Sequence, residues 1–241
     1  MKTILLLAGR ELRAFFDTAW GWTILATVLV LDGLMFNAFA LGTRERYSAD
    51  VLADFFYLSA GTTMIAGILL TMRLIAEERQ TGTLVLLQTA PIRAVDIVLG
   101  KFLGAFGFLA VLTLLTAYMP ALIFVHGKVS LAQIAVGYAG VLSLGAATIA
   151  VGTFATSMAR NQLVAAVVGA GLIVFLLLGW LIGQMTEPPL SGVFSYAALF
   201  DRHYQPFMKG RLNTESLVYY ASISFGFLLL ATRTLQLRRL R

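Results

Sequence analysis

The segment Val129–Ala159, VSLAQIAVGYAGVLSLGAATIAVGTFATSMA, contains no charged residue. A helix of about 20 apolar residues crosses the hydrocarbon core of a bilayer. This segment is therefore long enough for one tilted span with short flanks, and too short for two. It predicts a helix that lies in a membrane, where no water competes for the backbone hydrogen bonds.

The same pattern recurs along the chain. Hydrophobic residues make up 59% of the sequence and charged residues 12%, against about 25% charged in an ordinary soluble domain. We therefore expect an all-α integral membrane protein: six transmembrane helices, an N-terminal interfacial helix and short cytosolic coupling helices, in one domain over residues 1–241. The expected spans are about residues 20–42, 55–74, 98–125, 130–157, 161–184 and 216–235.

The first nineteen residues predict the interfacial helix. Apolar residues recur there at a spacing of three to four, and most of the cations fall on other faces, a pattern typical of helices in the headgroup region. Within the spans, Gly100-x-x-x-Gly104 and Gly179-x-x-x-Gly183 allow close helix approach, inside one chain or between two. Pro120 is expected to kink the third span.

The distribution of cations predicts the orientation. With both termini in the cytoplasm, twelve of the 18 lysines and arginines lie on the cytoplasmic side, as the positive-inside rule requires. Residues 75–96 then form a cytosolic segment and residues 185–215 an external one. We interpret the net charge of +6 as this asymmetry, and expect no nucleic-acid partner.

The sequence indicates no catalytic chemistry. It has no cysteine, no H-E-x-x-H pattern and no P-loop pattern, so we expect no catalytic residue and no ATP site of that type. The two histidines, His126 and His203, lack a neighbouring third ligand, and no metal site is predicted. Asp32 is an acid in the middle of a span, which is costly. It is a candidate residue of a translocation path with Asn37, or a group bonded to a neighbouring helix for structure.

The cytosolic segment contains Glu77-Glu78-Arg79, a break at Gly82, and a short apolar helix that ends at Pro91. Leu84 and Leu87 in that helix are flanked by charged residues. This pattern predicts either an apolar surface that docks a cytosolic partner or a helix lying flat on the bilayer.

Glu77-Glu78-Arg79-x-x-Gly82-Thr83-Leu84, then Pro91-Ile92 and Ile97–Lys101, resembles the signature of ABC-2 type permeases, the membrane subunits of ATP-binding-cassette exporters. The resemblance implies that this segment is the first coupling helix, which docks on an ATPase subunit. Ser157–Ala166 resembles the second cytosolic contact. The residues implied in coupling are Glu77, Glu78, Arg79, Gly82, Thr83, Leu84, Leu87, Pro91, Arg160, Asn161 and Gln162.

The resemblance also implies the partners. These are a separate cytosolic ABC ATPase, which would bind ATP and magnesium, and a second permease copy; this chain would bind no cofactor and would not be an enzyme. The implied location is the bacterial cytoplasmic membrane. Tyr196 and the stretch His203–Asn213 resemble the permeases of the gliding-motility and nitrous-oxide-reductase-maturation transporters.

Two alternatives to export stay open. In the first, no cargo crosses and the chain transmits movement to an external or membrane-anchored accessory protein. The external residues Phe200, His203, Tyr204 and Phe207 would then form a partner surface, or else a lid without a partner. In the second, the chain is an ATP-independent carrier, which leaves the cytosolic segment unexplained.

Overall fold

The computed structural model describes residues 2–41, 47–84, 89, 92–126, 129–187 and 189–239. In these residues all regular structure is helical. The helices are α1 (Lys2–Asp17), α2 (Ala19–Met35, extended by a π-helical segment Phe36–Leu41), α3 (Ser48–Thr71), α4 (Ala76–Gln80), α5 (Ala94–Leu115), α6 (Tyr118–His126), α7 (Leu131–Met158), α8 (Gln162–Leu177), α9 (Gly179–Met185), α10 (Leu190–Ala197), α11 (Gln205–Met208) and α12 (Thr214–Arg239).

Five helical stretches in the described residues are long and apolar enough to cross a bilayer: Ala19–Ala38, Ser48–Gln80, Ala94–Val125, Leu131–Met158 and Thr214–Leu237. The pair α8 and α9, bent by 48° at Leu178, makes a sixth if it crosses as one span. The predicted all-α integral membrane fold is confirmed. The third span breaks at Thr116 and Ala117, one turn before Pro120, because proline has no N–H to donate to the carbonyl four residues earlier.

Helix α7 lies at the centre of the bundle, against α3, α5, α8 and α12. Small residues on α7 permit this. A Cβ at Gly152 would lie 2.0 Å from Thr71 Oγ1 on α3, and a Cβ at Gly145 would lie 2.3 Å from Leu109 Cδ2 on α5. Close helix approach of this kind maximises van der Waals contact, which is the main attraction between helices in lipid.

Two ends of the bundle carry polar and aromatic features. We call the end formed by α1, α4, the start of α5 and the α7–α8 connection the charged end. We call the end formed by α10, α11 and residues 198–213 the aromatic end. At the charged end α1 packs along α5, where Cβ atoms at Gly100 and Gly104 would lie 2.5 Å from Leu7 Cβ and Glu11 Cβ. The Gly100-x-x-x-Gly104 pair therefore packs within this chain.

Candidate coupling site at the charged end

A buried lysine joins three separate parts of the chain. Lys101 on α5 has only 2% of its side chain exposed, and its Nζ lies 2.9 Å from Glu78 Oε1 on α4 and 3.0 Å from Glu11 Oε1 on α1. Arg10 adds a second cation, with its guanidinium 2.8 Å from Glu11 and 3.2 Å from Glu78. We call these four residues the Lys101 cluster. It holds α1, α4 and α5 together at one point.

The two cations of the Lys101 cluster favour the ionised form of Glu11. Burial raises the pKa of Glu11, but the charge of Lys101 and the hydrogen bond from Arg10 outweigh it, so that the pKa lies below its ordinary value. The two cations balance the two carboxylates. Such a network tolerates burial only while every member is paired, because an uncompensated buried charge costs several kcal/mol.

Arg79 links the first cytosolic segment to the second. Its guanidinium donates to the carbonyl oxygens of Ser157, at 3.0 Å, and of Ala159. Beside it, Thr156 Oγ1 accepts from the backbone N–H of Ala76 at 3.0 Å. These bonds attach α4 to the C-terminal turn of α7, whose last carbonyls have no partner within the helix and attract a cation.

The remaining charged residue of the signature, Glu77, also has a partner inside the chain. Glu77 accepts from the guanidinium of Arg73, one turn earlier, and Arg73 lies over the Trp20 ring at 5.5 Å. Glu77, Glu78 and Arg79 are among the residues implied in coupling to an ATPase. In the structure all three connect parts of this chain to one another.

The expectation of a protruding Leu84 is wrong. Leu84 is 5% exposed and belongs to the hydrophobic core at the charged end. The reason lies at Gly82, which adopts the left-handed conformation, φ +76°; glycine does so without a steric penalty. The chain turns back there and directs Leu84 inward. Leu87 and Pro91 lie outside the described residues.

Other residues implied in coupling are exposed or half-buried at the charged end. Thr83 and Arg160 are exposed. The Oδ1 of Asn161 accepts from the backbone N–H three residues later at 2.8 Å, so Asn161 caps α8, and Gln162 beside it is half-buried. Leu163 is 74% exposed and adds an apolar position that the sequence analysis did not assign.

Asp32 is buried on the face of α2 that meets α3. Thr62 Oγ1 on α3 donates to Asp32 Oδ1 at 2.7 Å. Asn37 is exposed, on the π-helical segment. The structure does not bring Asn37 and Asp32 onto one face, and the bond to Thr62 favours the structural alternative for Asp32.

We expect Asp32→Asn to assemble and to support ATP-driven activity like the wild type. The amide oxygen of asparagine still accepts from Thr62. Asp32→Leu removes this bond and costs about 1 kcal/mol, since the Thr62 hydroxyl can still donate to the Ser59 carbonyl at 3.1 Å. The melting temperature of the purified chain in detergent checks both variants. If Asp32→Asn assembles normally but abolishes ATP-driven activity, the negative charge itself is required and the structural interpretation fails.

The aromatic end is anchored by residues that were predicted to face a partner or to form a lid. Tyr204 is fully buried, and its hydroxyl donates to the Phe56 carbonyl on α3 at 2.8 Å. Phe207 is also fully buried, and its ring lies against Gly140 on α7. These side chains fill the bundle and are not available to an external protein.

His203 is 1% exposed and stacks on Tyr219 with ring centroids 3.8 Å apart. Its Nε2–H donates to the Tyr196 carbonyl at 3.0 Å, and burial lowers the pKa of His203 below its ordinary value. Phe200 is half-buried against Tyr204. The predicted partner surface is therefore largely internal.

Comparison with protein families matches residues 47–193 to the model described as ABC-2 family transporter protein. That range covers more than half of the chain. The chain belongs to the ABC-2 transporter family. Comparison with curated proteins finds no match. The matched range includes α4 and the C-terminal turn of α7, which are the elements that Arg79 joins.

Several residues of the charged end of this ABC-2 protein were not predicted from its sequence. Lys101 was named only as the last residue of the family signature, and Glu11 was not singled out. The sequence did contain a signal for each residue. Lys101 is a charged residue directly after Gly100, and Glu11 is a charged residue on the helix that packs at Gly104. What was missing was the packing of α1 on α5, which brings together residues 90 positions apart.

Proposed function

We propose that this ABC-2 protein is the membrane-spanning permease subunit of an ABC transporter, and couples ATP hydrolysis by a separate cytosolic ATPase to substrate export. It is non-catalytic, pairs with a second permease copy, and lies in the bacterial cytoplasmic membrane with both termini in the cytoplasm. ATP and magnesium bind the ATPase. Within the family it belongs with the gliding-motility and nitrous-oxide-reductase-maturation type.

One observation carries this proposal: the charged residues of the coupling signature connect α1, α4, α5 and the α7–α8 connection. A subunit that only crossed the membrane would not need to clamp these elements together. A coupling subunit does, because a partner that pulls on one surface segment moves the spans only if that segment is rigidly attached to them. The Lys101 cluster attaches it to the first half of the bundle, and Arg79 to α7.

The docking surface in this proposal consists of four residues at the charged end: Gly82 and Thr83 after α4, and Arg160 and Leu163 at the α7–α8 connection. The mixture of polar groups with one exposed leucine fits a partner groove with a small apolar centre and a polar rim. Leu84 supports this surface from beneath.

We expect Leu163→Asp to reduce recovery of the ATPase with the purified permease about tenfold or more, because it places an unpaired charge in an apolar contact. Thr83→Arg should weaken recovery through steric conflict. Affinity purification in mild detergent with quantitative mass spectrometry measures both.

The matched control is Leu131→Asp. Leu131 is 66% exposed and begins α7 near the aromatic end, so the same substitution at the start of another helix should leave ATPase recovery unchanged. Equal recovery of the ATPase with wild type, Leu163→Asp and Thr83→Arg would show that docking occurs elsewhere. Recovery of the wild-type chain with no ATPase would contradict the proposed function itself.

A further inference from the structure

A groove runs between α5 and α12 on the outside of the bundle, with a volume of about 370 Å³. Leu228 and Thr232 form its floor and are nearly buried. Phe225 and Leu229, 70% and 44% exposed, form one wall, with Leu99 opposite. From Phe225 to Arg233 a helix rises about 12 Å. The groove is an apolar channel parallel to the helix axes.

The end of the groove near the start of α5 is polar. Arg233 and Gln236 lie there beside Val95. Arg233 is exposed and forms no ion pair with a residue that the structure describes. Arg238, Arg239 and Arg241 follow in the sequence. The groove therefore has apolar walls along its length and positive charge at one mouth.

We propose that this groove binds an anionic glycerophospholipid of the cytoplasmic leaflet. One acyl chain lies along Leu99, Phe225 and Leu229, and the phosphate is bound by Arg233, with Gln236 as a further hydrogen-bond donor. Basic residues at the cytoplasmic end of a span attract anionic headgroups, and Arg presents two donors to phosphate oxygens. The charged end, which includes the start of α5, faces the cytoplasm in the proposed orientation.

The shape of the groove favours a lipid over a transmembrane helix. Helix contacts in bilayers are enriched in small residues that let backbones approach, whereas the walls here are phenylalanine and leucine. A flexible acyl chain fits between such side chains. Occupation of the groove by a second permease copy or by another membrane protein is an alternative outcome of the test.

The test uses the full chain in nanodiscs of phosphatidylcholine with a minor amount of phosphatidylglycerol that carries a photoactivatable group on one acyl chain. We expect cross-links in peptides of α5 and α12, displaced by unlabelled phosphatidylglycerol and not by phosphatidylcholine. Arg233→Gln should reduce this labelling about fivefold, the effect of losing roughly 1 kcal/mol per surface cation. Arg13→Gln, a change of another exposed arginine of the charged end, should not.

Leu229→Trp tests the acyl-chain part. Its larger ring fills the groove from an exposed position, and labelling of α5 and α12 should fall while the chain elutes like the wild type. If phosphatidylcholine and phosphatidylglycerol label the groove equally, and Arg233→Gln leaves the labelling unchanged, then only bulk lipid contacts the groove. That result would overturn the proposal. Unchanged labelling in Leu229→Trp, or cross-linking of the groove to a polypeptide, would overturn it as well. The choice of leaflet rests on the proposed orientation, but the labelling needs no ATPase, so its failure is distinguishable from failure of the proposed function.

Discussion

Lys101→Met is expected to destabilise the chain by about 3–5 kcal/mol, the usual cost of removing one partner from a buried charge network. Glu11 and Glu78 have only 13% and 19% of their side chains exposed, and without Lys101 their carboxylates share a single half-exposed cation, Arg10. We expect a fall in Tm of roughly 10 °C for a chain of this size, measured in detergent, together with detachment of α1 from α5.

Two controls make this prediction specific. Lys209→Met removes an exposed lysine near the aromatic end and should leave Tm within a degree or two of wild type, since surface substitutions usually change stability little. The double change Lys101→Met with Glu78→Gln should recover part of the loss, because Arg10 can then neutralise Glu11 alone. A Tm for Lys101→Met equal to that of Lys209→Met would mean that the Lys101 cluster does not hold the three elements together.

Arg79→Ala is expected to separate ATP hydrolysis from movement of the bundle. It removes two charge-assisted hydrogen bonds to the end of α7, each worth about 1.5–3 kcal/mol, while Thr83 and Leu163 at the docking surface stay unchanged. The ATPase should therefore still bind and hydrolyse ATP. The readout is the reaction rate of a cysteine at Val193, an exposed position on α10, with a membrane-impermeant maleimide, with and without ATP.

In the wild-type background this rate should change on addition of ATP, and in Arg79→Ala the change should fall about tenfold. Arg79→Lys should restore it only in part, because a single ammonium on a flexible stem does not reproduce the fixed fork of the guanidinium. Arg13→Ala is the control for loss of a cation from the same end. A full ATP response in Arg79→Ala would show that α4 and α7 are coupled by another route.

The bilayer explains why so much of the fold was predictable. Segments such as Val129–Ala159 must satisfy their backbone internally, so an uncharged run of this length has one stable form, a helix. The uncharged run that predicted the second span stops at Asp54. The helix itself begins earlier, at Ser48, because Asp50 in its first turn suits a helix N-terminus. The bend between α8 and α9 left no comparable signal in composition.

The candidate site was predictable in position and not in contacts. The family signature singled out α4 and the start of α8, and in the structure both lie at the charged end. It could not show that Glu78 meets Lys101, or that Arg79 meets the end of α7, because those partners depend on how the helices pack. For Leu84, a flanking pattern of charges predicted exposure, whereas the turn at Gly82 buries the side chain. The order of charged residues along a sequence does not specify whether a neighbouring side chain faces the core or the solvent.

The side chains of the aromatic end lie elsewhere than predicted for a related reason. Aromatic residues such as Tyr204 and Phe207 are typical both of partner surfaces and of the interfacial ends of spans. Here the Tyr204 hydroxyl contacts α3 and the Phe207 ring contacts α7. Transmission to an accessory protein stays a prediction, and any partner surface at the aromatic end must use other residues.

The central claim is that the charged end moves as one body when the ATPase acts. The chain contains no cysteine, so spin labels on cysteines introduced at Arg13 on α1 and Val164 on α8 report one distance without background. Double electron–electron resonance measures that distance in the ATPase complex with and without trapped ATP. The labelled permease is diluted with unlabelled permease so that each complex carries one labelled copy. The account predicts one narrow distribution that ATP leaves unchanged and that broadens in Arg79→Ala. A distance that shifts on ATP binding in the wild type would show that α1 and α8 move independently, and would contradict the account.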